Sequence, residues 1–315
     1  MAADAVKVLH VHRIGGIGGS ERHLLTLLPA LAERGVDVRF LGLDDPSRAP
    51  DPFYEQLTVP FERLPAPRDV DPALAVRVAR AARRADLVHT HLVHADVYGA
   101  IGARRLVSTK HNDDPFRTGV FRFVERALAR RAGRVVAITH ALARFLVERV
   151  RLPRQKGVDV AVRALPLVRE RHPRAQLVVL GEGPERAALE RLARELDVPV
   201  HLLGRVPDVA AWLRRADVLV HPARWEGFGL ALLEAMLAEL PVVASTVSSI
   251  PEIVADEETG LLVPPDDPEA LADALGRVVA DPGTFGAAGR ERARKKFSVA
   301  RMADETLAVY DEVAR

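Results

Sequence analysis

Short apolar runs of strand length alternate with amphipathic helical stretches along the whole chain, and this alternation restricts the fold more than any single motif does. Strands joined through helices run parallel, and a parallel sheet needs helices on both faces to bury it. In the first half, Val6–Val11 leads into the loop Gly15-Gly16-Ile17-Gly18-Gly19. Ser20 is positioned to cap a helix that carries Leu24, Leu25, Leu28 and Leu31 on one face and stops near Gly35. Strands are expected at Val36–Leu41, Asp86–Thr90, Leu106–Lys110 and Arg134–Ile138. Helices are expected at Asp71–Arg84, His94–Arg104, Phe116–Arg131 and, after the strand Arg134–Ile138, on to about Arg149, while the Pro- and Asp-rich Asp44–Pro67 reads as a long loop.

The second half repeats the theme. Strands fall at Gln176–Leu180, Val200–Leu203, Val218–Val220 and Val242–Ala244, helices at Glu185–Leu196, Gly229–Ala238 and Pro268–Ala280, and a last helix runs from Ser298 to Val313. The expected fold is α/β, with two doubly wound parallel-sheet domains of Rossmann type. Residues 1–150 form a first domain, 151–297 a second, and 298–315 a closing helix. Two such domains facing each other place a ligand cleft at the carboxyl ends of their strands.

A chain of 315 residues suffices for two domains, and 48% hydrophobic with 28% charged residues describes a globular protein. No apolar run approaches the ~20 residues that span a bilayer. There is no basic region followed by an apolar core at the N-terminus, so a cytoplasmic protein is expected. The absence of Cys excludes disulfides, thiolate metal sites and a cysteine nucleophile, and a net charge of +2 does not argue for nucleic acid. The basic residues are nearly all Arg. The lysines are Lys7, Lys110, Lys156, Lys295 and Lys296, so a Lys beside a Gly in a loop stands out.

The stretch from His221 to Met236 holds two carboxylates eight positions apart, Glu226 on a Gly-rich loop and Glu234 on the helix that follows. A helix N-terminus offers unpaired N–H groups and a partial positive charge, which attract anions. A carboxylate in the same loop repels phosphate but accepts hydrogen bonds from sugar hydroxyls, and a second one on the helix can hold the paired hydroxyls of a ribose. The segment therefore has places for a sugar, a diphosphate and a nucleoside.

Together the Glu-x7-Glu segment, the N-terminal Gly-Gly loop and Gln155-Lys156-Gly157 resemble the retaining glycosyltransferases of family 4, with the GT-B fold. Further matching runs are Leu180-Gly181-Glu182-Gly183-Pro184, Leu203-Gly204-Arg205-Val206-Pro207, Ala216-Asp217-Val218 and Pro251-Glu252-Ile253-Val254 through Gly260-Leu261-Leu262-Val263. The resemblance implies transfer of a hexose from a nucleoside diphosphate sugar to a glycan or lipid-linked acceptor, with retention and without a metal or other cofactor. It implies that Lys156 contacts the donor phosphates, Glu226 the donor sugar, and Glu234 the ribose. Gly227, Phe228, Gly229 and Leu230 then offer backbone N–H groups, and Gly18 and Gly19 approach the diphosphate. His111 lies near the donor sugar and acceptor, and His91, after the strand Asp86–Thr90, is a weaker acceptor-side candidate. The histidines show no metal-ligand pattern with nearby carboxylates.

Blander readings stand beside these. Lys156 can be a solvated lysine at a helix start, the Gly loop a plain strand-to-helix turn, and His111 a structural histidine at a strand end. A dinucleotide fingerprint fails because its third Gly position holds Glu21. The basic helix over 116–131 can rest on an anionic membrane or simply cover the core. Other function classes are a non-catalytic sugar-nucleotide-binding protein and another nucleotide-sugar enzyme such as an epimerase.

The chain departs from the family at one junction. Pro153 passes directly into Arg154-Gln155-Lys156-Gly157, with no strand between Val150 and Val158 to open the second sheet. Family members carry there a linker with an Asn-Gly-Val/Ile-Asp turn and a strand ending in Gly-Arg, roughly 30 residues in all. Either residues are missing at this point, which would separate Pro153 and Arg154 by more than the ~3.8 Å of neighbouring Cα atoms, or the domain has lost a strand together with the diphosphate-binding Arg. A sheet lacking its first strand exposes two apolar edges, which favours the former.

Overall fold

The structure, a computed structural model, describes residues 5–47, 51–67, 71–111, 134–137 and 155–314, with backbone alone at 93, 94 and 134–137. It divides into two compact units, Met1–Ile138 with Ser298–Arg315, and Thr139–Phe297. The helix expected at Phe116–Arg131, the one running to Arg149 and the Pro153–Arg154 junction all lie outside the described residues. Among the described residues no helix is long and apolar enough to cross a membrane.

Unit one is built on six parallel strands, β1 (Lys7–Ile14), β2 (Asp37–Asp44), β3 (Phe61–Pro65), β4 (Leu87–His91), β5 (Leu106–Lys110) and β6 (Arg134–Ala137), in the order β3-β2-β1-β4-β5-β6. The chain winds outward from β1 in one direction and, from β4, in the other, so the order reverses between β1 and β4, where ligands of doubly wound sheets bind. Successive side chains of a strand point to opposite faces. Val8 therefore joins one core with Leu24, Leu28 and Leu31 of α1 (Gly19–Ala32) and with Ala303 and Tyr310 of the closing helix Val299–Ala314. Leu9 and Val11 join the other, with Leu74 and Val78 of α3 (Pro72–Ala82) and Tyr98 of α4 (Leu92–Gly102).

Three local expectations are corrected. Ser20 does not cap α1: the N-cap is Gly18, whose N–H donates to Glu21 Oε2 at 3.0 Å, while the Ser20 hydroxyl donates to the same oxygen at 2.9 Å. The Asp44–Pro67 loop contains α2 (Phe53–Gln56) and the edge strand β3. In β3 the one buried residue is Leu64, so no apolar alternation announces it. Strand β1 continues past Val11 to Ile14 and so takes in His12.

Unit two carries its strands in two pieces. β7 (Leu177–Leu180) pairs with β8 (Val200–Gly204), and β9 (Leu219–His221), β10 (Val242–Ser245) and β11 (Leu261–Val263) form a sheet in the order β11-β10-β9. Among the described residues these correspond to the two halves of the unit-one order without its central strand. Among the described residues no strand pairs β7 to β9. The helix that follows the junction, α5 (Val158–Arg171), and the later α10 (Pro268–Ala280) pack together against β10 and β11 through Val160, Ala164, Leu271 and Val278. The remaining helices are α6 (Arg186–Glu195), α7 (Val209–Leu213), α8 (Leu230–Leu237), α9 (Ile250–Ile253) and α11 (Phe285–Lys296).

The effect of the open seam shows in burial. Every residue of β4, which neighbours the central strand of unit one, is buried, whereas no residue of β7 or β9 is, and Val178 is 37% exposed. Strand amides of low local packing exchange by local opening, not global unfolding. Native-state hydrogen exchange should therefore find the amides of β7 and β9 exchanging well ahead of those of β1 and β4. Equal protection in all four strands would show that the seam is closed in solution.

Candidate active site

In unit two a turn and a loop are welded together. Gly157 has φ +60°, and a Cβ there would overlap the carbonyl oxygen of Pro222, so both the backbone conformation and the space demand glycine. The Arg224 N–H donates to the carbonyl of Gln155 at 2.9 Å. The Arg224 guanidinium donates to both oxygens of Asp159 at 2.8 and 2.9 Å and to Asp266 at 2.6 Å, a two-pronged pairing that lysine cannot make. These ties bring Gln155-Lys156-Gly157 against the loop that holds Glu226.

The Lys156 ammonium consequently lies 2.7 Å from Glu226 Oε2, and His221 Nε2 lies 3.0 Å from the same oxygen. The Gly227 N–H donates to Oε1 at 3.1 Å, and the Ser249 hydroxyl donates to the Glu226 carbonyl at 2.9 Å. Burial pushes the Glu226 carboxyl up, but the His221 hydrogen bond and the charge and hydrogen bond of Lys156 outweigh it and bring the group to about 2. The carboxylate is thus ionised and buried, while the Lys156 side chain above it is 55% exposed. Gly229, at φ +90°, ends the loop and forms the N-cap of α8, which Leu230 opens. Phe228 packs edge-on against Phe297 at 6.0 Å, and Glu234 sits partly exposed on α8. Lys156, Glu226 and the Gly227–Leu230 backbone are therefore brought together in one unit, with His221 and Arg224 as members that sequence reasoning missed.

His111 and His91 belong to unit one. Strands β1 and β4 each carry a His-x-His pair, in register as His10 opposite His89 and His12 opposite His91, so four imidazoles share one sheet face. His10 Nδ1 lies 3.0 Å from His91 Nε2, and His91 Nδ1 lies 3.1 Å from His111 Nε2. The Tyr310 hydroxyl of the closing helix lies 3.1 Å from His10 Nε2 and 2.7 Å from His89 Nδ1, and His89 Nε2 lies 2.6 Å from Thr109 Oγ1. Burial drives His89, His91 and His111 well below the usual histidine range, with neighbouring histidines adding to it; His10 falls to about 3. His23, whose ring sits 4.8 Å from that of His111, falls to about 4 through burial and the charge of His12. The set is neutral. His91 is fully buried with both ring nitrogens engaged by imidazoles, so it reaches any acceptor through His111.

His12 Nε2 lies 3.0 Å from Glu21 Oε1, the carboxylate that also takes the Gly18 N–H. The Gly18 N–H is thus committed within the protein, although Gly18 and Gly19 are both exposed. On the opposite sheet face Asp96 accepts from Ser108 at 2.7 Å, from Thr90 and from Lys110, all buried. His10, His89 and His91 are the metal-capable group among the described residues, their ligand atoms within 4.8 Å of one another, a cluster the sequence reading did not see. Their rings stack, His89 on His91 at 4.4 Å and His10 on His91 at 5.3 Å, and each ring nitrogen has a hydrogen-bond partner, so they are linked as a chain. The two His-x-His strands were the signal for it.

Two family models meet along the chain. One described as Glycosyltransferase Family 4 matches residues 17–161, and one described as Glycosyl transferases group 1 matches 145–281. The chain belongs to the family 4 glycosyltransferases. Among curated relatives, an uncharacterized glycosyltransferase of Methanocaldococcus jannaschii is 39% identical over 168 residues, 51% of this chain and 43% of that protein. The lipopolysaccharide core biosynthesis mannosyltransferase LpcC of Rhizobium leguminosarum is 35% identical over 173 residues, 52% of this chain and 49% of that protein. The chain thus spans about half the length of the curated relatives it matches. Among solved structures, sucrose-phosphate synthase of Thermosynechococcus elongatus aligns with a TM-score of 0.78 at 23% identity, covering 98% of each chain. Anabaena HepE in complex with UDP aligns with a TM-score of 0.80 at 21% identity, covering 97% of this chain and 100% of that one. The fold is GT-B.

A family 4 glycosyltransferase with this many neutral buried histidines is acid-sensitive. Unfolded histidines take up protons near pH 6.5, whereas His10 and His23 do so only near 3 and 4, so stability present above pH 6.5 is lost as the pH falls toward 3. Glu226 adds a loss in the same direction, beginning only below its ordinary value of 4.5. Thermal melts should show Tm falling already between pH 7 and 5. A Tm constant down to pH 5 would contradict the neutral-cluster reading.

Proposed function

We propose that the chain is a glycosyltransferase that moves a hexose from a nucleoside diphosphate sugar to a hydroxyl of a glycan or glycolipid, with retention at the anomeric carbon and without a metal. The observation that carries this reading is the Lys156–Glu226 pair: an exposed ammonium held by a buried, ionised carboxylate beside the N-terminus of α8. Such a lysine is positioned to exchange its carboxylate for a diphosphate, and the freed Glu226 then accepts from the donor sugar's hydroxyls. The names of similar proteins point the same way, with a mannosyltransferase among the relatives and a solved neighbour in complex with UDP-glucose.

In the reaction the bond from the anomeric carbon to the phosphate oxygen breaks and one to the acceptor oxygen forms on the same face. Positive charge develops on the sugar and negative charge on the leaving diphosphate. Donors fixed at the diphosphate stabilise that separation more than they stabilise the bound donor, which raises the rate. Lys156 and the N–H groups of Gly227, Phe228, Gly229 and Leu230 fill this role. Glu234 holds the ribose. His111 accepts from a sugar hydroxyl. Retention follows from same-face attack in which the departing phosphate takes the acceptor proton. The protein acts in the cytoplasm, and the basic run 116–131 is its candidate for contact with a membrane that carries a lipid-linked acceptor.

The lack, among the described residues, of a strand joining β7 to β9 favours a second reading, a sugar-nucleotide-binding protein without turnover. Transfer assays with UDP- and GDP-hexoses separate the two. Lys156→Ala should lower kcat by about 100-fold or more, the size of effect seen when one fixed donor to developing charge is removed, and Glu226→Ala, which removes the acceptor for the donor sugar's hydroxyls, should abolish transfer. Wild-type protein that binds donor but yields neither transfer nor donor hydrolysis would establish the binder.

A further inference from the structure

Glu226 Oε2 is served by two donors of different kinds. Lys156 Nζ lies 2.7 Å from it and His221 Nε2 3.0 Å, while the Gly227 N–H donates to Oε1. An ionised carboxylate only accepts, so Nε2 of His221 carries the hydrogen of its bond. The two donors differ in how they are held. The Lys156 side chain is 55% exposed and hangs from a turn, whereas the His221 side chain is 11% exposed and ends β9, in register with Ala244 of β10. His221 also directly precedes Pro222, the residue whose carbonyl Gly157 abuts, so the contact that places Lys156 places His221 with it. The Ser249 hydroxyl donates to the Glu226 carbonyl and fixes the main chain below the carboxylate.

Drawing Lys156 away from Glu226 is costly if nothing else holds that oxygen, because a buried carboxylate stripped of its partner carries its desolvation uncompensated. We propose that His221 is the positioning residue that lets Lys156 leave: it keeps Glu226 Oε2 engaged and the carboxylate aimed while the ammonium turns to a donor diphosphate. The inference rests on the reading of Lys156 and Glu226 given above and adds the reason that the exchange works, a second donor on the same oxygen fixed at a strand end. His221 touches neither phosphate nor sugar in this role and acts through Glu226. With Oε2 held by His221, Oε1 keeps a lone pair beside the Gly227 bond for a hydroxyl of the donor sugar.

Two variants separate the donor from the ring. His221→Gln offers an amide N–H at the reach of imidazole Nε2, and His221→Leu fills the space without a donor. Neither new side chain titrates, so pH differences between the two report on Glu226. Among the described residues the groups facing its carboxylate are Lys156 from the turn before α5, His221 from β9 and the Gly227 amide of its own loop. Isothermal titration of the full chain with UDP-glucose and with GDP-mannose reads the effect. At about pH 7.5 His221→Leu should bind about tenfold more weakly than wild type, the scale of one hydrogen bond to a charged group, and His221→Gln within about twofold of wild type. Once Lys156 has left in the Leu variant, burial pushes the Glu226 carboxyl up and a proton takes the missing donor's place. Binding then takes up a proton, so the gap between Leu and Gln should narrow at about pH 5.5. Leu binding like wild type, Gln binding as weakly as Leu, or a gap that is the same at both pH values overturns the proposal. Thermal melts without ligand supply a second test. Lys156→Ala and His221→Leu each leave one donor on Oε2, so the double variant should lose more Tm than the two singles together, and additive losses overturn the proposal. If the wild type binds neither nucleotide sugar, the donor-site reading fails, and the melts alone decide whether His221 holds Glu226 without Lys156.

Discussion

The closeness of Gly157 to the Pro222 carbonyl is the constraint on which the rest of unit two depends. A side chain at 157 would push the turn away from the 221–229 loop, and with it Lys156 from Glu226. Arg224 reinforces that approach from the other side through Asp159 and Asp266, so the turn is held by one absence and three charges. A buried carboxylate survives only because partners offset its desolvation, here His221, Lys156 and the Gly227 amide. The geometry leaves Lys156 at the surface end of that arrangement, where a ligand anion can compete for it.

Unit one solves a different problem with the same chemistry. Imidazoles occupy sheet positions where a parallel sheet ordinarily buries Val, Ile or Leu. Burying polar rings costs free energy unless each nitrogen is hydrogen-bonded, and a row of neutral imidazoles closed by a tyrosine and a threonine meets that requirement without any charge. The closing helix supplies the tyrosine, which gives its return to unit one a consequence beyond packing against α1.

Much of this was legible in the sequence, and what was not has physical reasons. The doubly wound alternation and the helix Pro268–Ala280 were readable because strand and helix periods are strong over those lengths. Gly157 and Lys156 were readable from the family's Gln-Lys-Gly motif, but the role of Arg224 was not, because its partners Asp159 and Asp266 lie far away in sequence. Strand β3 was missed because an edge strand with one buried residue carries no period-two signal. The histidine chain escaped because no histidine in it is notable alone; only the register of β1 against β4 turns two His-x-His pairs into a lattice. Glu21 spoiled a dinucleotide fingerprint in the sequence and proves in the structure to be the residue that caps α1 and holds His12. The junction before Gln155, read in the sequence as lacking a strand, lies outside the described residues.

The central claim is that a nucleoside diphosphate binds at the turn-and-loop pairing of Lys156 with Glu226 despite the open seam. Thermal-shift titration of the full chain with UDP, GDP, ADP and their common sugars, without added metal, tests it most directly, since a ligand at 100 times its Kd stabilises by about 2.7 kcal/mol. The account predicts selective stabilisation by one base that disappears in Lys156→Ala and in Glu234→Ala. No stabilisation by any nucleotide, or stabilisation that survives both substitutions, would contradict it.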